Sequence, residues 1–139
     1  MHVRYSYQAV DRVPKQLSPG VVYHSEEYEI GALLCACGCG HRVSLLVPDS
    51  HQITSLVGFA TINPSISVCD APCKSHFFIR SGDVEWLPAF SSAMAATTMQ
   101  RQITRHARRD KDPVPVTRRS RIKAGLAKAF RKLLSSFGR

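Results

Sequence analysis

The sequence predicts a mainly β fold: a small antiparallel β domain of hairpins, followed by C-terminal helices. Three observations predict it. Short runs of β-branched and aromatic residues alternate with Pro, Gly and Asp breakers through residues 1–90. Within them, Cys35-Ala36-Cys37-Gly38-Cys39-Gly40 is answered by Cys73-Lys74-Ser75-His76, a pattern expected of a structural zinc knuckle. After residue 90 the composition shifts to Ala, Met, Gln and basic residues, which favour helix.

Taken in order, Val3, Tyr5, Tyr7 and Ala9 alternate as in a short strand, and Pro14 and Ser18-Pro19-Gly20 break the chain. Val21-Val22-Tyr23 is a second strand, and 25–28 is a polar turn. The apolar run 30–34 enters the cysteine cluster, and 41–47 leaves it as a strand that Pro48-Asp49-Ser50 ends. Residues 53–62 alternate weakly around Gly58, as a strand or an irregular pair. Pro64 removes a backbone donor and belongs at an edge or bulge. Strands follow at 75–79 and 84–87, joined by Ser81-Gly82-Asp83 and ended by Pro88. Residues 92–109 suit a helix.

Three cysteines in five positions are hard to explain as packing. Zinc holds thiolates about 2.3 Å from the metal, and neighbouring sulfurs then lie roughly 3.8 Å apart. Alternate side chains on a straight strand are nearly 7 Å apart, at about 3.3 Å per residue. The chain must therefore coil here, and Gly38 and Gly40 permit it. Cys73 and Cys69 are the remaining cysteines, and His41 is a possible substitute ligand. A disulfide framework fits poorly, because five cysteines is an odd number and residues 35, 37 and 39 are too close for ordinary bridges. A site with four cysteine ligands is closed to water and structural. Reduced cysteines and the absence of a signal-like apolar start predict a cytoplasmic protein.

Charge divides the chain. Residues 101–139 hold thirteen Lys+Arg and two Asp, a net of +11, whereas residues 1–100 carry a net of −2. The expected organisation is a zinc-binding β domain over 1–90, a helical segment and linker over 91–112, and a basic amphipathic helix over 113–139. In that last segment Ile122, Leu126, Phe130, Leu133, Leu134 and Phe137 recur at helical spacing. Such a tail suits docking on its own chain or a protein partner, or an anionic surface. Phe130 and Phe137 lie on the apolar stripe, so there is no specific nucleic-acid signal beyond charge. The longest apolar stretch, near Ile30, is too short to span a bilayer.

Catalysis would need groups other than the metal ligands. Ser75 and His76 are strand neighbours and point to opposite faces. His76 would instead activate a serine from another segment, and Ser65, beside Pro64, is the best candidate. Glu26, Asp70, Asp83 and Glu85 are all possible orienting carboxylates. Cys69 or Cys73 could be a nucleophile if not metal-bound. The plainer alternative is that Ser65 satisfies backbone near a proline and His76 supports the zinc site.

The order Cys35-Ala36-Cys37-Gly38-Cys39-Gly40, Pro64-Ser65-Ile66, Cys73-Lys74-Ser75-His76-Phe77 and Gly82-Asp83-Val84-Glu85-Trp86 resembles a family of small bacterial zinc-binding proteins. That family is encoded beside ubiquitin-like conjugation genes. The resemblance covers roughly residues 13–87. It implies Cys35, Cys37, Cys39 and Cys73 as Zn²⁺ ligands and Ser65 and His76 as a catalytic pair. The implied activity is a zinc-stabilised serine-type peptidase or isopeptidase that removes a ubiquitin-like modifier. Implied partners are that modifier or its conjugates, with E1-like and E2-like enzymes. Two departures stand out: Ala36 replaces the usual proline, and Cys69 is an extra cysteine. The alternative function is a non-catalytic zinc module that captures a protein partner through its basic tail.

Overall fold

A computed structural model describes residues 3–111. The linker prolines at 113 and 115 and the amphipathic stretch 118–137 lie outside the described residues. Eight strands form one sheet: β1 (Ser6–Ala9), β2 (Val21–Ser25), β3 (Ile30–Leu34), β4 (Arg42–Leu46), β5 (Gln52–Leu56), β6 (Phe59–Ser67), β7 (His76–Arg80) and β8 (Asp83–Leu87). Their order is β4-β3-β2-β1-β6-β7-β8, with β5 added to β6. One helix, α1 (Ser92–Lys111), follows.

The alternation in the sequence becomes the inside and outside of this sheet. Leu33, Val43, Leu45, Ile62, Ile66, Val68, Phe77 and Ile79 point into one core with Tyr5 and Val22. Burial of each such side chain contributes about 1.5–3 kcal/mol. Hairpins account for most pairings, but β1 and β2 run parallel, from Ser6 opposite Val21 to Ala9 opposite His24. The connection between them spans residues 10–20, about the dozen residues that a parallel crossover needs. The weakly alternating stretch around Gly58 resolves into the β5–β6 hairpin. Its two turn residues, Val57 and Gly58, both have positive φ, 51° and 79°. Ser81 and Gly82 do the same for β7–β8, at 48° and 87°. Two-residue turns of this hand match the twist of the strands they join.

Helix α1 is capped by Ser91, whose side chain accepts the Met94 N–H at 3.3 Å. Ala95 is its buried residue. The helix is tied down near its ends instead. Lys74 Nζ donates to Ser92 Oγ at 2.8 Å. Near the other end, Arg109 donates to the Tyr28 carbonyl at 2.7 Å and lies 3.4 Å from the Glu29 carboxylate and 3.7 Å from that of Asp49.

Candidate active site and metal centre

Strands β6 and β7 hold the site between them. Ser67 stands opposite His76 and Ile66 opposite Phe77, but the next pair is Ile62 with Ile79. Between these points β6 advances four residues while β7 advances two. Asn63, Pro64 and Ser65 thus stand against Phe78 alone, with a cis bond between Asn63 and Pro64. A bulge re-aims the side chain it carries. Here Ser65 Oγ lies 2.8 Å from His76 Nε2. Their neighbours Ile66 and Phe77 face the core at 1% and 0% exposure, so the pair sits on the opposite, solvent-facing side. A serine hydroxyl that donates to an imidazole is poised to lose its proton as it attacks a carbonyl.

Two groups absent from the sequence-based expectations complete the surroundings. The Phe90 ring stacks on His76, with centroids 4.5 Å apart and planes inclined by 25°. It covers one face of the imidazole, leaving the ring edge with Nε2 to Ser65. His51 lies 3.2 Å from the Ser65 carbonyl through Nε2, and Ser50 Oγ lies 2.9 Å from its Nδ1. A carbonyl only accepts, so His51 donates from Nε2, while the Ser50 hydroxyl beside Nδ1 donates to the Leu46 carbonyl at 3.0 Å. His51 thus fastens the backbone of Ser65 where the β5 ladder has ended. Neither residue falls in a periodic pattern that sequence could have flagged.

Burial lowers the pKa of His51, and the Arg105 charge adds to this; the hydrogen bond to Ser65 works the other way. His24, which accepts or donates with the Tyr7 hydroxyl at 3.0 Å, is lowered by burial as well. A histidine lowered on folding binds fewer protons in the native chain than in the unfolded one. Stability is then full above the unfolded value of about 6.5 and falls as pH drops below it. Thermal melts should show the midpoint falling between about pH 7 and about pH 5, and His51→Gln should flatten part of that fall. An equally steep fall in the variant would show that His51 does not resist protonation.

None of the four carboxylates named as candidates orients His76. Asp70 pairs with His41 Nε2 at 3.0 Å, and Glu85 with Arg80 at 3.1 Å. Asp83 lies 3.7 Å from Arg4, at the far end of β8 from Leu87, the residue opposite His76. Glu26 stands in the β2–β3 turn, where its carbonyl accepts the Glu29 N–H. Among the described residues, Ser65 is the one hydrogen-bond partner of His76. The arrangement is a dyad.

The cysteines converge at the same end of the sheet. The Sγ atoms of Cys35, Cys37, Cys39 and Cys73 all lie within 4.8 Å of one another. Cys35 is 3.5 Å from Cys37 and 3.9 Å from Cys73, and Cys39 is 3.9 Å from Cys73. A tetrahedral thiolate site requires about 3.8 Å between sulfurs, so the four residues fit a metal ion. The knuckle closes through Cys35 N–H to the His41 carbonyl at 2.8 Å, and Gly38 and Gly40 take φ of 87° and 78°. No atom lies within 4 Å of where their Cβ atoms would be, so it is backbone conformation that requires glycine there. Beneath the knuckle, Tyr5 donates to the Leu34 carbonyl at 2.8 Å. Burial, with the Cys35 and Cys37 thiolates adding to it, pushes its hydroxyl up to about 12. Cys69 is buried outside the cluster, and burial followed by the Asp70 charge raises its thiol. His41 faces Asp70 rather than the sulfurs.

Cys73 lies three residues before His76, in the loop that brings β7 back against β6. The cluster therefore ties the β3–β4 turn to the entry of the strand that carries the imidazole. No curated protein and no solved structure matches the chain. Residues 9–87, more than half of the 139, match the family described as bacterial ubiquitination-like system serine protease (BubE). That span contains both halves of the cysteine cluster and the Ser65–His76 pair. With a serine held against an imidazole inside the matched span, the chain belongs to the BubE family, the serine proteases of bacterial ubiquitination-like systems.

Proposed function

We propose that Ser65 is the nucleophile and His76 the general base of a protease that cuts the acyl bond at the end of a ubiquitin-like modifier. Its substrates are the modifier's precursor and its conjugates, and E1-like and E2-like enzymes work on the same modifier. The observation that carries this reading is the 2.8 Å hydrogen bond between Ser65 Oγ and His76 Nε2. As Oγ adds to the substrate carbonyl, its proton passes to Nε2. The tetrahedral adduct collapses, the C–N bond breaks, and His76 returns the proton to the leaving amine. Water then attacks the acyl-serine, gives one proton to His76, and releases the new carboxylate as Ser65 takes that proton back. With no carboxylate on Nδ1 among the described residues, stacking on Phe90 takes over the orientation of the ring.

Cys35, Cys37, Cys39 and Cys73 hold Zn²⁺ in this reading, as a closed site with a structural role. The ion supplies cross-linking and takes no part in the acyl transfer. The thiolates it needs suit a reducing compartment, and we place the protein in the cytoplasm.

A fluorophosphonate probe tests the nucleophile directly, because it phosphonylates a serine only where a base activates it. Digestion and mass spectrometry of the labelled full chain should place the adduct on Ser65, and His76→Ala should prevent labelling. An adduct on another serine, or equal labelling of the His76 variant, would refute the assignment.

A further inference from the structure

The sheet has a gap beside Ser65. Pairing between β5 and β6 ends at Gln52 with Asn63. Beyond it, Val68 N–H turns to the carbonyl of Ser75, just before β7, so Ile66 and Val68 present their backbone groups to the β7 side and Ser65 and Ser67 present theirs to the opposite side. There, side chains take the place of a strand: His51 Nε2 stands 3.2 Å from the Ser65 carbonyl and Gln102 Nε2 3.5 Å from that of Ser67. Across the gap lies β4, the terminal strand of the order. His41 and Val47 bond backbone groups on the β3 side, so Ser44 presents its N–H and carbonyl outward. Among the described residues, two open strand edges thus face a shared cavity of about 490 Å³.

Helix α1 crosses this cavity as a roof. Its ends are tied by Lys74 and Arg109, as described, and in its middle Gln102 reaches the Ser67 carbonyl. Met99 and Ile103 line the cavity and remain 38% and 49% exposed. Apolar side chains turned toward a cavity and left half-exposed mark a space shaped for an occupant. Open edges mark what kind: backbone donors and acceptors that an extended chain satisfies by strand addition.

We propose that the slot between β4 and β6 receives the extended substrate segment that leads to the scissile bond, pairing with the backbone of Ser65 and Ser67 on one side and of Ser44 on the other. The inference rests on Ser65 as nucleophile, and continuity favours this occupant over any other. His51, which lines the cavity, holds the carbonyl of Ser65, and Ser65 is the residue whose Oγ meets His76. A strand added at about 4.8 Å from β6 brings its own carbonyl carbons within reach of that hydroxyl. The His51 and Gln102 side chains hold the carbonyls in the free enzyme, and the incoming backbone N–H groups replace them. Recognition falls on the main chain, so the segment must arrive unfolded from its own domain.

Amide hydrogen exchange on the full-length Ser65→Ala protein tests this, with the uncut precursor of the system's ubiquitin-like protein as the probe. On saturation, the Ser44 and Ser67 amides should exchange at least about tenfold more slowly. Binding that leaves both amides unchanged, or that protects the free edge of β8 instead, overturns the slot. So does protection already present in the free chain, which would mean that the protein fills its own gap. As a second measurement, Ile103→Trp in the active enzyme should raise KM for the precursor by about tenfold, and an unaltered KM counts against the proposal. Failure of the nucleophile would show separately, as cleavage that survives in the Ser65→Ala protein itself.

Discussion

Replacing Ser65 by alanine should lower cleavage of the modifier precursor by about 10⁴-fold while leaving KM nearly unchanged. The loss falls on kcat because the hydroxyl bonds the reacting carbon only as the transition state forms. His76→Ala should cost a similar factor. In the proposed mechanism the two residues act as one unit, so the double variant should be hardly worse than either single one. Neither substitution touches the core: Ser65 and His76 are partly exposed on the outer side of the sheet, and their core-facing neighbours remain. Fold and metal content should therefore be unaltered, which separates a catalytic loss from a structural one. A Ser65→Ala protein that still processes precursor within about tenfold of the parent would remove the dyad from consideration.

Removing the metal should have the larger effect on the fold. A structural zinc site contributes about 10–16 kcal/mol in small metal-dependent domains. A domain's whole stability is about 5–15 kcal/mol. The described β domain is small, and its cysteine cluster joins segments 38 residues apart, Cys35 to Cys73. The protein as purified should carry one zinc per chain by elemental analysis. Excess chelator should lower its melting temperature by more than about 20 °C, at about 4–8 °C per kcal/mol for a domain of this size. Cys39→Ser should do much the same, because the remaining thiolates are then one ligand short. Cys69→Ser should leave the metal content intact, since Cys69 lies outside the cluster. A metal-free protein with an identical melting temperature in chelator would rule out the cross-link.

The strands were legible because burial on one face imposes alternation. Pro64 also announced an interruption of β6 and placed it beside Ser65. The cysteine cluster was legible because no ordinary packing explains its spacing. Strand direction was not: Val21-Val22-Tyr23 reads alike whether it runs parallel or antiparallel to β1, and the length of the preceding connection decided it. The carboxylates were misleading for a local reason. Asp70 and Glu85 each have a nearby partner, His41 and Arg80, that claims them first. His51 and Phe90 stayed hidden because their roles depend on where two loops end, and a loop end leaves no period in sequence.

Ser65 and His76 are eleven residues apart and belong to neighbouring strands of one hairpin. Many nucleophile–base pairs unite distant parts of a chain and inherit every error of global assembly. This pair forms once a short local loop has closed. Substitutions in β2 or β3 should accordingly alter how many molecules are native, and how long they stay so, more than the turnover of each native molecule. Variation across the family can then accumulate in the distant strands with the chemistry insulated from it.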